Sequence, residues 1–167
     1  MRTSENGVDQ LAFRHVMRHF PTGVTVVTTE HEGEPHGMTA NSVTSVSLEP
    51  VMLLVCLLRD ARTSVAVQRR GCFAVNILCD HQEELSRRFA LPGVDHFEGV
   101  QLEEGPDGLP LVSDALAHIV CSVAEIVAAG DHDVVFGNVE HCHVNGGSPL
   151  VFFLGGYRRL PGPSRLG

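Results

Sequence analysis

The stretch Gly37-Met38-Thr39-Ala40-Asn41-Ser42-Val43-Thr44-Ser45-Val46-Ser47-Leu48-Glu49-Pro50 sets the strongest limit on how this chain can fold. It is too polar for a core strand and too poor in turn residues for an ordinary loop. Hydroxyls at Thr39, Ser42, Thr44, Ser45 and Ser47, with the Asn41 amide, crowd positions 39–47. Apolar, strand-like runs flank it at 24–29 and 51–58. A sheet built from those runs would present the polar stretch as a rigid set of small donors and acceptors. Such a set suits a ligand rich in carbonyls, ring nitrogens and phosphate oxygens. The same side chains could instead satisfy their own backbone in a long connection. The pattern leaves both readings open.

The chain has 167 residues, which fits one domain with a real core, expected over 1–160, with a frayed tail at 161–167. Apolar residues make up 43%, too many for a disordered chain. No apolar run is long enough to cross a membrane, and the first ten residues are too polar for a signal peptide. The formal charge of -8 argues against nucleic acid or an anionic membrane surface as partner. Cys56, Cys72, Cys79, Cys121 and Cys142 are odd in number, lack a C-x-x-C spacing and mostly sit in apolar segments. They predict buried thiols in a reducing cytoplasm.

Helical spacing at Leu11, Ala12, Phe13, Val16, Met17 and Phe20 predicts a helix over 9–20, capped by Asp9 and stopped by Pro21. The β-branched run 24–29 predicts a strand, with a hairpin tip over 31–35. The continuous apolar run 51–58 predicts a strand buried on both faces. Thr63 is a candidate cap for a helix to Arg70, which Gly71 would close. A strand follows over 72–78. Asp80 with Glu83 resembles a capping box, opening a helix to about Phe89. Two long strands are expected at 121–129 and 134–144, joined by Gly130-Asp131-His132-Asp133, and a last one at 150–154. Strands that do not alternate regularly with helices predict a mainly β fold, a barrel with peripheral helices.

The chain carries no G-x-G-x-x-G, P-loop, G-x-S-x-G or H-E-x-x-H motif. His132, at a strand end, could contact a substrate or be a solvated turn residue. His141 and His143 share a strand face and could ligate a metal only with a third ligand; His31 and His36 form a looser pair. Arg87 and Arg88 could anchor a phosphate or simply end a helix in water. Asp131, Asp133, Glu103 and Glu104 are expected at the surface.

Taken in order, several segments resemble the short-chain flavin reductases that serve two-component flavin monooxygenases. They are Phe20-Pro21-Thr22-Gly23-Val24-Thr25-Val26-Val27-Thr28, the hydroxyl-rich stretch, Phe73-Ala74-Val75-Asn76-Ile77-Leu78 and Leu85-Ser86-Arg87-Arg88-Phe89-Ala90. Gly130-Asp131-His132 with Gly137, and the run 150–157, complete the series. The resemblance implies a split β-barrel, a six-stranded antiparallel Greek-key barrel with peripheral α-helices, usually as a homodimer. It implies FMN or FAD bound on the barrel wall, NADH or NADPH as hydride donor, and delivery of reduced flavin to a partner monooxygenase. Carried over by position, Met38, Thr39, Ala40, Asn41, Ser42, Ser45, Val46 and Ser47 would contact flavin. Cys56, Leu57, Leu58, Thr63 and Ser64 would line the next part of the site. Arg88, Phe89 and Ala90 would lie toward the phosphate end, with Tyr157 nearby, and His132 would stand by the nicotinamide as the catalytic residue. The chain departs from the pattern at Glu49-Pro50-Val51, at His96, at Ile119-Val120 and at Phe153-Leu154-Gly155. Rival readings are a flavin enzyme that keeps its cofactor and acts on a small organic substrate, and a non-catalytic flavin or haem binder.

Overall fold

The computed structural model describes residues 7–93 and 95–160; the tail expected at 161–167 lies outside them. Helix α1 (Gln10–Met17) opens at Asp9, whose carboxylate accepts from the Leu11 N–H at 3.2 Å. It stops short of the predicted end at position 20, and none of its residues is buried. A two-residue strand, β1 (Thr22–Gly23), leads into the hairpin β2 (Thr25–His31) and β3 (Glu34–Ala40). The hairpin tip is narrower than expected. Glu32 and Gly33 make it alone, both at positive φ, as a tight turn matched to strand twist requires.

Strands β4 (Val43–Leu48) and β5 (Val51–Leu58) follow, then α2 (Arg62–Arg70), β6 (Cys72–Ile77) and α3 (Glu83–Ala90). A small pair, β7 (Leu102–Glu104) and β8 (Pro110–Val112), precedes the long strands β9 (Ala117–Ala129) and β10 (His132–Val144). The described chain closes with β11 (Leu150–Phe153) and β12 (Gly156–Arg159).

The main sheet has seven strands in the order β3-β2-β6-β9-β10-β5-β4, every neighbouring pair antiparallel. Its two edge strands are β3 and β4, which only Asn41 and Ser42 separate along the chain. So short a link spans only about 10 Å. The sheet must therefore curl until its edges meet at that corner. The result is the expected barrel, split between β3 and β4, where no ladder forms. Val27, Leu53, Val55, Leu57, Phe73, Val75 and Val135 fill the interior. A second core, with Val24, Val26, Leu78, Phe89 and Leu150, lies outside the barrel. Consecutive Val26 and Val27 thus point into different cores, which is why β2 reads as an unbroken apolar run.

Several local expectations are corrected. In β5 only Leu53, Val55 and Leu57 are buried; Met52, Leu54 and Cys56 on the other face are half-buried, and Val51 and Leu58 at the two ends are exposed. Thr63 lies inside the first turn of α2 rather than capping it, because Ala61 is the N-cap; Gly71 closes the helix at φ 75° as expected. Helix α3 begins after Gln82, not in an Asp80 capping box. The Gln82 side chain instead accepts from the Cys79 N–H and donates to the Ser113 carbonyl. The run at 150–157 is a hairpin, turned at Leu154 and Gly155 with φ 53° and 77°. The five thiols are free, yet Cys142 is exposed and Cys56 and Cys72 are only half-buried.

Asn76 is fully buried and has its amide satisfied. Its Nδ2 donates to the Val26 carbonyl (2.8 Å) and the Thr28 hydroxyl (3.0 Å), and its Oδ1 accepts from the Val112 N–H (2.9 Å). It therefore fixes β2, β6 and β8 to one another, a structural reason for an asparagine within an apolar strand.

Candidate functional site

The hydroxyl-rich stretch becomes the end of β3, the barrel corner and β4. Several of its polar groups are spent on the fold. Thr39 donates to the Ser86 carbonyl at 2.6 Å, Ser42 donates to the Cys56 carbonyl at 3.0 Å, and the Ser47 hydroxyl accepts from the Glu49 N–H at 3.1 Å. The Asn41 amide and the Ser45 hydroxyl are exposed and make no hydrogen bond among the described residues. The backbone-satisfying reading holds for Thr39, Ser42 and Ser47, and Asn41 and Ser45 are the side chains left for a ligand. The β4–β5 ladder shifts register between Ser45 and Ser47, so exposed Val46 is a bulge on the outer strand. A bulge re-aims side chains, and the free edge of β4 adds unpaired backbone donors and acceptors.

From β5 the chain runs directly into α2. Ser64 is fully buried in the first turn of α2, and its hydroxyl has no hydrogen-bond partner. The helix has no side-chain cap and no acid in that turn. Its leading N–H groups and the helix dipole favour an anion there. This orphaned hydroxyl is the structural observation that fits a phosphorylated ligand to the site.

His132 is the first residue of β10, not a loop residue. It pairs with Leu58 on one side and Ala129 on the other, which brings it to the end of β5. The two-residue turn before it has Gly130 at φ 63°, the left-handed position such hairpins need. The Asp131 carboxylate lies 2.7 Å from His132 Nδ1. A carboxylate only accepts, so Nδ1 carries the hydrogen, and in the neutral ring Nε2 is left with a lone pair for a ligand. The hydrogen bond from His132 and the charge of its ring hold the Asp131 carboxyl below the usual carboxylate range, so it stays an acceptor at neutral pH. Asp133 is not at the surface. It is 5% exposed, with Arg59 Nε at 3.1 Å and Gln68 Nε2 at 3.0 Å from its two oxygens.

Other predicted site residues are placed less favourably. Ala40, Leu57 and Phe89 are buried in the cores and can offer a ligand only backbone. Met38 and Cys56 are half-buried, and Leu58, Arg88 and Ala90 are exposed. Thr63 is buried beside Ser64. Arg88 donates to the Glu98 carbonyl, and Arg87 forms an ion pair with Glu83 at 2.7 Å. Both line a cavity of about 360 Å³ that also contains Glu84, Asp95 and Glu98, a poor setting for a phosphate. The Tyr157 hydroxyl lies 2.7 Å from Ser86 Oγ, and the Arg87 guanidinium stacks on its ring at 4.8 Å. Sequence reasoning missed Ser86, which joins Thr39 of β3 to Tyr157 of β12 through its carbonyl and hydroxyl. His141 and His143 are exposed, and no three His, Cys, Asp or Glu side chains gather around a metal position among the described residues.

Residues 17–161 match the family described as the flavin reductase like domain. The chain belongs to that family. It is 45% identical over 163 residues to the flavin reductase (NADH) of Kitasatospora aureofaciens, covering 92% of this chain and 83% of that one. It is 36% identical over 165 residues to the flavin-dependent monooxygenase reductase subunit HsaB of Rhodococcus jostii, covering 95% of this chain and 85% of the relative. A relative from Rhizobium meliloti, 43% identical over 150 residues, is a longer protein, of which this chain spans 48%. Among solved structures, the Streptomyces globisporus NADH:FAD oxidoreductase SgcE6, in complex with NAD and FAD fragments, superposes with a TM-score of 0.88. The two are 36% identical, and the match covers 98% of this chain and 99% of SgcE6. These neighbours share the antiparallel split barrel described above.

Proposed function

We propose that this chain is an NADH-dependent flavin reductase that reduces FMN or FAD and passes the reduced flavin to a separate monooxygenase. The observation that carries the reading is one of placement. Unspent donors at Asn41 and Ser45 lie beside β5, Ser45 opposite Leu53, while the His132 imidazole and the orphaned Ser64 hydroxyl at the start of α2 stand at and just beyond the Leu58 end of the same strand. When flavin and dihydronicotinamide are bound, they supply the redox chemistry, a hydride passing from one ring to the other. Asn41, Ser45 and the edge of β4 would hold the ring's carbonyls and nitrogens, and Ser64 with the first turn of α2 would hold the phosphate. His132 would orient the nicotinamide through Nε2. No acid, base or nucleophile of the protein is needed, which accounts for the absence of familiar catalytic motifs. The neutral donor set favours a modest grip, about -8 kcal/mol at micromolar affinity, which permits exchange.

The reading is tested by following NADH oxidation at saturating NADH with FMN, FAD or no added flavin. Turnover that saturates with added flavin supports it. A protein that purifies yellow and ignores added flavin would instead be one that keeps its cofactor. An Asn41→Ala, Ser64→Ala double variant is expected to raise the flavin Kd by roughly fivefold to thirtyfold, the loss of one or two hydrogen bonds at about 1 kcal/mol each. Unchanged quenching of flavin fluorescence on titration would remove these residues from the site.

The working unit we propose is a homodimer in a reducing cytoplasm. Leu11, Phe13, Val16 and Phe20 are each at least 59% exposed, and Leu48 is 83% exposed. An eight-residue helix with nothing buried does not hold its shape in water without a covering surface. Light scattering is expected to give twice the chain mass of 18.0 kDa, and Phe13→Glu with Val16→Glu to give one chain mass. A monomeric parent protein at micromolar concentration would refute the assignment. No helix of the described residues is long and apolar enough to cross a membrane.

A further inference from the structure

Asp133 ties together three elements that the proposed reaction needs in register. It is the second residue of β10, directly after His132. Its buried carboxylate takes one hydrogen bond from Arg59, just beyond β5, and one from Gln68, in the last turn of α2. Arg59 makes two more bonds to the same turn. Its guanidinium donates to the His132 carbonyl at 3.1 Å, and its backbone N–H donates to the Asp131 carbonyl at 3.0 Å. Gln68 stands four residues after Ser64, one helical turn along the same face of α2. The path from the His132 backbone to the start of α2 is therefore short and continuous, through Asp133, Gln68 and one turn of helix.

A buried carboxylate is a costly way to stabilise a strand end, because desolvation offsets much of the attraction to its partner. An apolar residue beside its pairing partner Leu57 would suit the interior better. What the carboxylate adds is geometry, since both its oxygens have directed donors on different elements. We propose that Asp133, with Arg59 and Gln68, is a positioning clamp that fixes the imidazole of His132 relative to the flavin-phosphate end of α2. The inference rests on the flavin reductase reading given above. Hydride transfer needs two rings at close range, and displacement by about 1 Å can cost up to a hundredfold in rate. The clamp holds apart, by a fixed amount, the two protein groups that would set the ring positions.

The test uses Asp133→Asn, alone and combined with Gln68→Glu. In the single variant an amide N–H2 faces the Gln68 N–H2, and one link is lost. In the double variant the donor and acceptor are exchanged and the link is restored at an exposed position of α2. Two readouts are made. The first is amide hydrogen exchange of the flavin-free protein over 62–66 and 130–134. Both segments are expected to lose protection together, by roughly tenfold, in the single variant and to regain it in the double. The second is single-turnover reduction of bound flavin at saturating NADH. The single variant is expected to be about tenfold slower with flavin Kd within twofold, and the double variant to recover most of the rate. The proposal is overturned if exchange is unchanged, if only the 130–134 segment loosens, or if the double variant restores neither readout. It is also overturned if the rate falls only in step with the folded fraction. A parent protein that does not oxidise NADH with either flavin would sink the function reading instead, and the exchange result would still report on the clamp.

Discussion

Replacing His132 by alanine is expected to lower kcat/KM for NADH by roughly tenfold to a hundredfold and to leave flavin affinity within twofold. The size follows from one lost hydrogen bond to substrate, about 1.5 to 3 kcal/mol in a partly water-excluded site. The direction of the split follows from position. His132 enters the site from β10 at its pairing with Leu58, whereas the free polar groups at Asn41 and Ser45 come from β4 and its approach. Steady-state kinetics with each substrate varied in turn, beside a flavin titration, measures both. An equal rise in flavin Kd would place the imidazole on the wrong ligand. Asp131→Asn should give a smaller effect of the same kind. Its amide can still accept from Nδ1–H but no longer carries the charge that favours that tautomer.

The second large effect is expected at Gly137, and it concerns folding. A Cβ there would stand 2.8 Å from both the Cys121 Cβ and the Phe73 Cζ. Phe73 and Cys121 are fully buried in the barrel interior and have no room to retreat. Gly137→Val is therefore expected to cost about 3 kcal/mol or more and to lower Tm by roughly 6–12 °C. Gly23→Ala, where nothing lies within 4 Å, is the control and should stay within about 0.5 kcal/mol. Thermal unfolding by circular dichroism separates the two. If Gly137→Val melts with the parent, the close approach of β10 to β6 and β9 does not limit this core. The two glycines of the Gly130-Asp131-His132 element thus have different physical reasons. Gly130 takes a left-handed turn, and Gly137 admits a neighbouring side chain.

Much of the architecture was legible because its signals are local. The β-branched run of β2, the apolar alternation hidden in β5 and the turn residues at Gly33, Gly71 and Gly130 each decide structure within a few positions. The errors arose where distant residues decide. Nothing near Asp80 reveals that Gln82 spans from Cys79 to Ser113, and the final hairpin is masked because a leucine, Leu154, takes the left-handed position. Asp133 looked like surface charge since its partners are 74 and 65 residues away. The polar stretch gave the location of the candidate site but not its division of labour. Which hydroxyls are spent on the fold depends on Ser86 and Cys56, and these are known only once β3, α3 and β5 are packed. The exposure of Val51 and Leu58 was invisible for a similar reason, since they stand at the two ends of β5 and a continuous apolar run does not show which positions packing leaves uncovered.

The corner at Asn41 and Ser42 has a dynamic consequence. Between β3 and β4 the barrel wall has a covalent link at one end and no ladder along its length, so this line is expected to open at a lower free energy than the paired strands beside it, which amide exchange would measure. This unpaired margin is also where the free polar groups of Asn41 and Ser45 stand. A carrier that must surrender its cargo after every turnover gains from such a placement, because the wall can relax at the cargo without melting the rest of the sheet.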